Sequence, residues 1–511
     1  MAYLGIDLGT TGVRALLIDR AGRVLGAATA EHPLHSPHPG WSEQDPEDWW
    51  RSTCTAVAGA LTQAGVSASE VEAVSTSGQM HGATLLDASG AVVRPCILWN
   101  DQRSVAQCAE ITRRVGSDRL QELTGNVALA GFTAPKLLWV REHEPENWAR
   151  TARVLLPRDY LNLRLSGVMA SEPSDAAGTL LFDVRARAWS AEVLRALNLD
   201  PALLPPVVAS AAVVGEVTEE AARQTGLRPG TPVVAGGADN ACAATGCGVL
   251  EAGQVLCSVG TSGTVLAPVA LDTPPPGHNV HLFCHVTPRA NYLMGVVLSA
   301  GGALRWFRDS LCPDLVAAGV SGGPDPYDLI AAEAERTTPG ADGLIFLPYL
   351  TGERTPHGSA AARGVFFGLE PRHTRGHMAR AVMEGVGYAL GECLELLRAS
   401  GVEAGAIRIT GGGARSPFWR GILADIFDAP VVVQPHDEGP AYGAALLAAV
   451  GVEAFETIEE AGRLIQPGAM TAPDAGRAAT YRAGSALYRD LYAALEPLYA
   501  TRLELQGLQQ D

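Results

Sequence analysis

This chain has almost no lysine. Lys136 stands alone among 511 residues, and arginine supplies every other of the 38 basic side chains. A phosphate-binding P-loop ends in Gly-Lys-Ser/Thr, so that architecture is excluded. Schiff-base chemistry is excluded too, unless Lys136 carries it. Positive charge is scarce overall, since 55 acidic side chains against 38 basic ones give a formal net charge of −17. That balance argues against nucleic acid and membrane surfaces as partners. It does not argue against a phosphorylated small ligand, because a local site overrides net charge. No apolar run approaches the ~18 residues of a membrane span. No basic and then apolar leader precedes the first strand, so no signal peptide is expected. The nine cysteines are scattered and form no Cys-x-x-Cys, which fits reduced, buried thiols in a cytoplasmic protein. His281 and His285 lie four apart in "HLFCH". On a strand they share no helical face, which argues against a metal pair. No low-complexity segment and no long linker interrupt the chain.

What is present is a core-forming composition, 47% hydrophobic and 18% charged, with glycine-rich turns placed after apolar runs. The length suggests about two to four domains. Tyr3 to Ile6 and Val13 to Ile18 read as buried strands around the turn Gly9 to Gly12. Most such turns only join strands. This one can also hold an anion, through outward backbone N–H groups and threonine hydroxyls. Asp7 ends a buried strand and needs a partner, for which hydrated Mg²⁺ is a candidate. Half a chain later "SVGTSGTVLAP" (258–268) repeats the turn, which suggests two related domains. Only the first copy offers the acid, because Ser258 stands where Asp7 does.

Strands and helices alternate along the chain. Asp45 reads as the N-cap of a helix with Pro46 at its first position. "VEAVSTSGQMHG" reads as a strand entering a loop, and "ATLLDASGAVV" as a hairpin around Asp87 to Gly90. "TPVVAGGADNACAATGCG" reads as strand, glycine loop and small-residue helix. "IRITGGGARS" followed by "PFWRGILADIF" has the same grammar, and "GPAYGAALLAAV" is another loop-to-helix entry. From about Gly476 the chain reads as helix. Glycine loops that leave strands and open helices are where ligands meet backbone N–H groups.

Four such places could carry chemistry, and each has a plainer reading. Asp239 in "GGADNACA" can meet a substrate hydroxyl, or it caps the next helix. Gln79 and His81 in "SGQMHG" suit a polyol, or they are satisfied loop residues. Trp99, Asn100, Asp101 and Arg103 in "ILWNDQRS" suit a sugar, or they are a cap beside a packed ring. The three glycines of "GGGARSPFW" admit adenine or phosphate to the backbone, though a lone Gly-Gly-Gly is weak evidence.

In combination these stretches resemble one group of proteins. The Asp-x-Gly-Thr-Thr start, its Gly-Thr-Ser-Gly copy, "GGADN" and "GGGA" resemble the superfamily of sugar kinases, heat-shock chaperones and actin. "GFTAPKLLWV" (131–140) and "GVFFGLEPRHTRGHMARAVMEG" (364–385) are similar to the two signatures of the FGGY carbohydrate kinases. "SGQMHG", "WNDQR", "PHPGWSEQDP" and "PYLTGERTPH" resemble the bacterial xylulokinase branch of that family. The resemblance runs from about Leu4 to Val450 in consistent order.

The resemblance implies an α/β fold of two ribonuclease-H-like domains with an interdomain catalytic cleft. Residues 1–250 would carry the sugar site and catalytic base, and residues 251–511 the nucleotide site. It implies ATP and Mg²⁺, transfer of phosphoryl to D-xylulose giving D-xylulose 5-phosphate in xylose catabolism, and a homodimer. By position, Asp239 is the base, and Asp7 with Asp239 faces the metal. Met80, His81, Asn240 and Trp99 contact the sugar. Thr10, Thr11, Arg14, Thr261, Gly301, Arg305 and Gly413 contact the nucleotide. Lys136, inside the first signature, is expected to form a structural ion pair. Kinases of ribulose, glycerol, gluconate or fuculose share the frame and stand as alternatives. A non-catalytic, chaperone-like ATPase would lack Asp239 and the polyol loop. A dinucleotide-binding oxidoreductase would need Gly-x-Gly-x-x-Gly entering a helix, which the first turn lacks.

Overall fold

The computed structural model describes residues 1–277, 280–434 and 439–507, the last five by backbone alone. Strand Ala2–Leu8 turns at Gly9 to Thr11 and returns as Gly12–Ile18, with Asp7 opposite Arg14. The Gly9 N–H closes the turn on the Gly12 carbonyl at 3.0 Å. Val24–Glu31 continues the antiparallel run. On its other side Ala2–Leu8 pairs in parallel with Val71–Gly78, which pairs in parallel with Pro232–Ala238. Val213–Glu216 closes that edge antiparallel.

The second sheet repeats the pattern. Val255–Val259, Gly263–Val269 and Asn291–Val297 run antiparallel, and Ile407–Thr410 and Val431–Val433 add in parallel to the first of them. His281–Cys284 and Met470–Thr471 are extra edge strands. Without the edges both sheets have one order, three antiparallel strands followed by two parallel ones. That is the order implied for a ribonuclease-H-like domain, present twice. Sheets covered on both faces bury both sets of side chains, so Ala2–Leu8 and Asn291–Val297 are apolar on both faces apart from Asp7 and Asn291.

The helices start where the residues dictate. The Asp45 carboxylate accepts from the Glu47 N–H at 3.0 Å, Pro46 fills the first position, and Gly65 ends helix Pro46–Ala64 at φ 63°. Asp87 to Gly90 forms the expected turn, with the Gly90 N–H on the Asp87 carbonyl at 3.0 Å. Helix Arg375–Ala399 covers the second sheet, and helix Ala478–Gly507 ends the described chain. No helix of the described residues is long and apolar enough to cross a membrane.

One helix does not follow chain order. Gly439–Gly451 comes late in the sequence yet packs on the first sheet, against Ala2–Leu8 and Val71–Gly78, and on helix Asp239–Gly246. The loop expected immediately before it lies outside the described residues. The approach is backbone to backbone. A Cβ on Gly5 would stand 1.9 Å from the Ala441 carbonyl oxygen, and one on Gly443 would stand 2.0 Å from that of Cys242. Only glycine fits at either place. Gly5→Ala should therefore lower stability by about 1–3 kcal/mol, the usual cost of overpacking. Gly405→Ala, whose nearest neighbour would be 3.9 Å away, should leave the urea midpoint unchanged.

Candidate active site

The two acids of the site are delivered by the strands on either side of Val71–Gly78. Asp7 lies near the end of strand Ala2–Leu8, and Asp239 opens the helix after strand Pro232–Ala238. Gly236 makes this possible. At φ 88° its missing Cβ would stand 1.8 Å from the Thr76 carbonyl oxygen, so strand Pro232–Ala238 closes up on strand Val71–Gly78. Ala238, and not Asp239, occupies the capping position. The Asp239 carboxylate instead accepts from the Asn240 N–H at 2.6 Å and from Asn240 Nδ2 at 2.9 Å. Burial and the Asp7 carboxylate push Asp239 up to about 7, against the pull of Asn240. Burial pushes Asp7 up to about 6, against the pull of Ser77 and Arg14. Asp7 Oδ1 is buried without a hydrogen-bond partner. Two buried acids, one raised by the charge of the other and one with an orphaned oxygen, fit a cation. Mg²⁺ suits them, because it keeps most of its waters and takes one or two carboxylates.

The polyol loop follows strand Val71–Gly78. Met80 is buried, its Sδ 3.8 Å from Asn240 Nδ2 and 4.0 Å from the Tyr292 hydroxyl. His81 has φ 71°, a region unusual for a residue with a Cβ. Its Nδ1 lies 2.6 Å from the Gly178 carbonyl oxygen, so Nδ1 donates and Nε2 is left as an acceptor. Burial, then the charges of Lys136 and Arg354, hold the ring neutral, well below the ordinary histidine range.

The backbone of His81 is also held. Its carbonyl accepts from Lys136 Nζ at 2.8 Å and from Thr133 Oγ1 at 3.1 Å. Lys136 Nζ donates a second bond to the Gly131 carbonyl at 2.7 Å. The expected ion pair of Lys136 is thus replaced by two carbonyl acceptors. Burial lowers the amine to about 7. A neutral amine keeps the two N–H groups that both bonds need.

The first turn is tied to this loop. Thr10 Oγ1 donates to Gln79 Oε1 at 3.1 Å and accepts from Trp99 Nε1 at 3.0 Å. Gln44 Nε2 donates to the Thr10 carbonyl at 2.6 Å, and Gln79 Nε2 to Gln44 Oε1 at 2.9 Å. Trp99 is therefore a strut between loop and turn. Its expected polar neighbours do other work. Arg103 bonds Asp101 and Glu43 and lies 3.6 Å over the Trp41 ring, while Asn100 is exposed. Thr11 is exposed at the tip, and Arg14 Nη1 donates to Thr29 Oγ1 at 2.9 Å.

The second turn gathers its own set. The Gly260 carbonyl accepts from the Gly301 N–H at 2.7 Å, and that of Thr261 from Ala300 and Gly302, each at 2.9 Å. A Cβ on Gly301 would stand 2.6 Å from the Gly260 oxygen, and one on Gly413 would stand 2.4 Å from Val259 Cγ1. Thr261, Gly301 and Gly413 thus converge. Arg305 lies one turn further along helix Gly301–Leu311, exposed. His281 and His285 have separate partners, Asn126 Oδ1 at 2.7 Å and the Val249 carbonyl at 3.1 Å. Motif reading missed Gln44, Thr133, Tyr292 and the partners of Lys136. Gln44 was in view within "PHPGWSEQDP", but its part depends on contacts far along the chain.

Comparison with known proteins identifies the family of the chain. The FGGY family of carbohydrate kinases matches twice, its N-terminal domain over residues 2–246 and its C-terminal domain over residues 255–452. The chain is 43% identical to the xylulose kinase of Escherichia coli over 98% of this chain and 100% of that protein. It is 40% identical to that of Bacillus subtilis over 97% of each. A solved structure titled a "xyloylose kinase", from Brucella ovis, superposes with a TM-score of 0.87 at 39% identity, covering 98% of this chain and 100% of that one.

Lys136→Met removes the donor to two buried carbonyls. It should lower stability by about 1–3 kcal/mol in urea unfolding. It should also raise hydrogen exchange at the His81 and Gly82 amides more than in the strand Val71–Gly78.

Proposed function

Because this chain belongs to the FGGY family of carbohydrate kinases, we infer that it transfers the γ-phosphoryl group of ATP to xylulose, giving xylulose 5-phosphate and ADP. The observation that carries the reading is the placement of Asp239, a buried carboxylate beside Asp7 whose hydrogen-bond partner Asn240 also touches Met80; burial and the Asp7 charge push it up to about 7. A base for a sugar hydroxyl works best near the operating pH. The D-isomer is the substrate we assign.

Phosphoryl transfer needs little covalent help, so positioning and charge neutralisation dominate. Asp239 accepts the proton of the sugar's primary hydroxyl. The new O–P bond forms as the bond to the β-phosphate oxygen breaks, and ADP leaves. His81 Nε2, which can only accept, takes a hydrogen bond from a second hydroxyl. Asn240 and Met80 line the same pocket, and Trp99 holds the loop against the turn. Asp7 and Asp239 would hold Mg²⁺ through its waters. When bound, that ion neutralises charge on the outer phosphates. The Thr10 hydroxyl is already engaged by Gln79 and Trp99, so Thr10 offers its backbone N–H to phosphate. Thr11 and Arg14 join it from the first turn, and Thr261 from the second. Gly301, Arg305 and Gly413 frame the nucleotide. We assign sugar and base to residues 1–250 and nucleotide to 251–511, and place the enzyme in the cytoplasm as a homodimer.

Against D-xylulose, L-xylulose, D-ribulose, L-ribulose, glycerol and gluconate, ATP-dependent ADP release should show the highest kcat/KM with D-xylulose. Asp239→Asn should lower kcat by about 10²–10⁴-fold while ADP affinity, measured by calorimetry, stays within twofold.

The pH behaviour follows from the raised carboxyl. Activity should fall as pH drops through about 7, where Asp239 takes a proton. Stability runs the other way. The folded-state value lies above the unfolded one, so the neutral acid's contribution is full below about pH 4 and lost as pH rises through 7. Asp239→Asn should therefore raise the thermal midpoint at pH 8, an advantage that vanishes toward pH 4.

A further inference from the structure

We propose that Arg354 is a sugar-binding residue that the C-terminal half contributes across the cleft. The proposal rests on the reading of the Met80–His81 loop as the xylulose site.

The segment carrying Arg354 is fixed in direction. The Thr355 N–H donates to the Val296 carbonyl at 3.2 Å, and Thr355 Oγ1 accepts from the Val296 N–H at 3.1 Å. Glu353 Oε2 accepts from the His357 and Gly358 N–H groups at 2.9 and 3.1 Å. From this base on the second sheet the guanidinium reaches the N-terminal half. A Cβ on Gly131 would stand 2.7 Å from the Trp99 carbonyl oxygen and 3.1 Å from Arg354 Nη2. Glycine at 131 leaves the room in which the Trp99 loop and Arg354 meet. Burial lowers His81, Lys136 and His281, and the charge of Arg354 pushes each further down.

The guanidinium nevertheless has no acceptor of its own. Among the described residues it forms no hydrogen bond and no ion pair, and it is only partly exposed. Arg103, in contrast, is neutralised by Asp101 and Glu43. A guanidinium withdrawn from water without acceptors is costly, and its five N–H groups call for several oxygens. A neutral polyol supplies them without adding charge. The chemistry of the two walls is complementary. Arg354 can only donate, and His81 Nε2 can only accept. A sugar hydroxyl placed between them donates to one and accepts from the other. Because the two residues sit on opposite halves, the sugar that satisfies both also draws the halves together.

Steady-state kinetics of the full chain with D-xylulose and ATP tests this. Arg354→Met should raise KM for D-xylulose at least tenfold and leave KM for ATP within twofold, with the thermal midpoint no lower than that of the wild type. Arg354→Lys should recover part of the loss, keeping charge without the planar fork. In an His81→Ala background Arg354→Met should cost less than in the wild type, since both would hold one sugar. An unchanged KM for D-xylulose in Arg354→Met, or an equal rise in both KM values, overturns the proposal. If Arg354→Met does not fold, Arg354→Lys decides in the same way, by a selective rise in the xylulose KM or by none. Wild-type enzyme inactive on xylulose would overturn the xylulose reading itself, and this proposal with it. An active wild type with an indistinguishable Arg354→Met overturns only the role of Arg354.

Discussion

The close contact of helix Gly439–Gly451 with strand Ala2–Leu8 and helix Asp239–Gly246 sets the geometry of the catalytic centre. That strand carries Asp7 near its end and that helix carries Asp239 at its start. Both lean on one small-residue helix at glycine distances, through Gly5 and Gly443. A methyl group at either glycine would push the elements apart and change the separation of the two carboxylates. Packing at the back of the site thereby becomes electrostatics at its front. Interiors are close-packed enough to transmit such a displacement.

Several local rules are broken around that centre, and they are broken together. Two acids stand close enough for the charge of Asp7 to raise Asp239. A histidine adopts a left-handed backbone, and a lysine is buried with carbonyls as its partners. Each is unfavourable alone. Departures of this kind persist only where the surroundings over-determine them, as functional sites do. Here the over-determination is visible. The His81 peptide is held by Lys136 and Thr133, its ring by Gly178, and its strand by Asp7's neighbours. The ring is thus kept neutral, with one nitrogen committed and one available.

Much of this was legible in sequence, because it depends on local pattern. The hairpin turn and its copy, the capped helix after Asp45, and the strand that delivers Asp239 all follow from residues within a few positions of one another. What was not legible depends on contacts across the chain. Nothing in "GPAYGAALLAAV" says that its helix covers the first sheet and not the second, since small residues report a close approach without naming the partner. The expected ion pair for Lys136 came from charge alone, and the carbonyls that accept from it are set by two loops distant in sequence. The polar cluster after Trp99 was read as one unit. The fold divides it, turning Trp99 to the first turn and Arg103 onto Asp101, Glu43 and Trp41.

The scarcity of lysine then has a structural counterpart. Where this chain needs charge that must persist, it uses guanidinium, which does not lose its proton in proteins. Arg14 beside Asp7 and Arg354 beside His81 are of this kind. At position 136 charge is not what the site requires. Lys136 is fully buried, and burial above all disfavours a charge there, with the Arg354 and Arg103 charges adding to it against the pull of Asp101. What is required there is a pair of N–H donors on a flexible stem, aimed at the Gly131 and His81 carbonyls. A lysine amine provides them whether or not it is protonated. A guanidinium would bring a permanent charge and a rigid plane into a space shaped for neither.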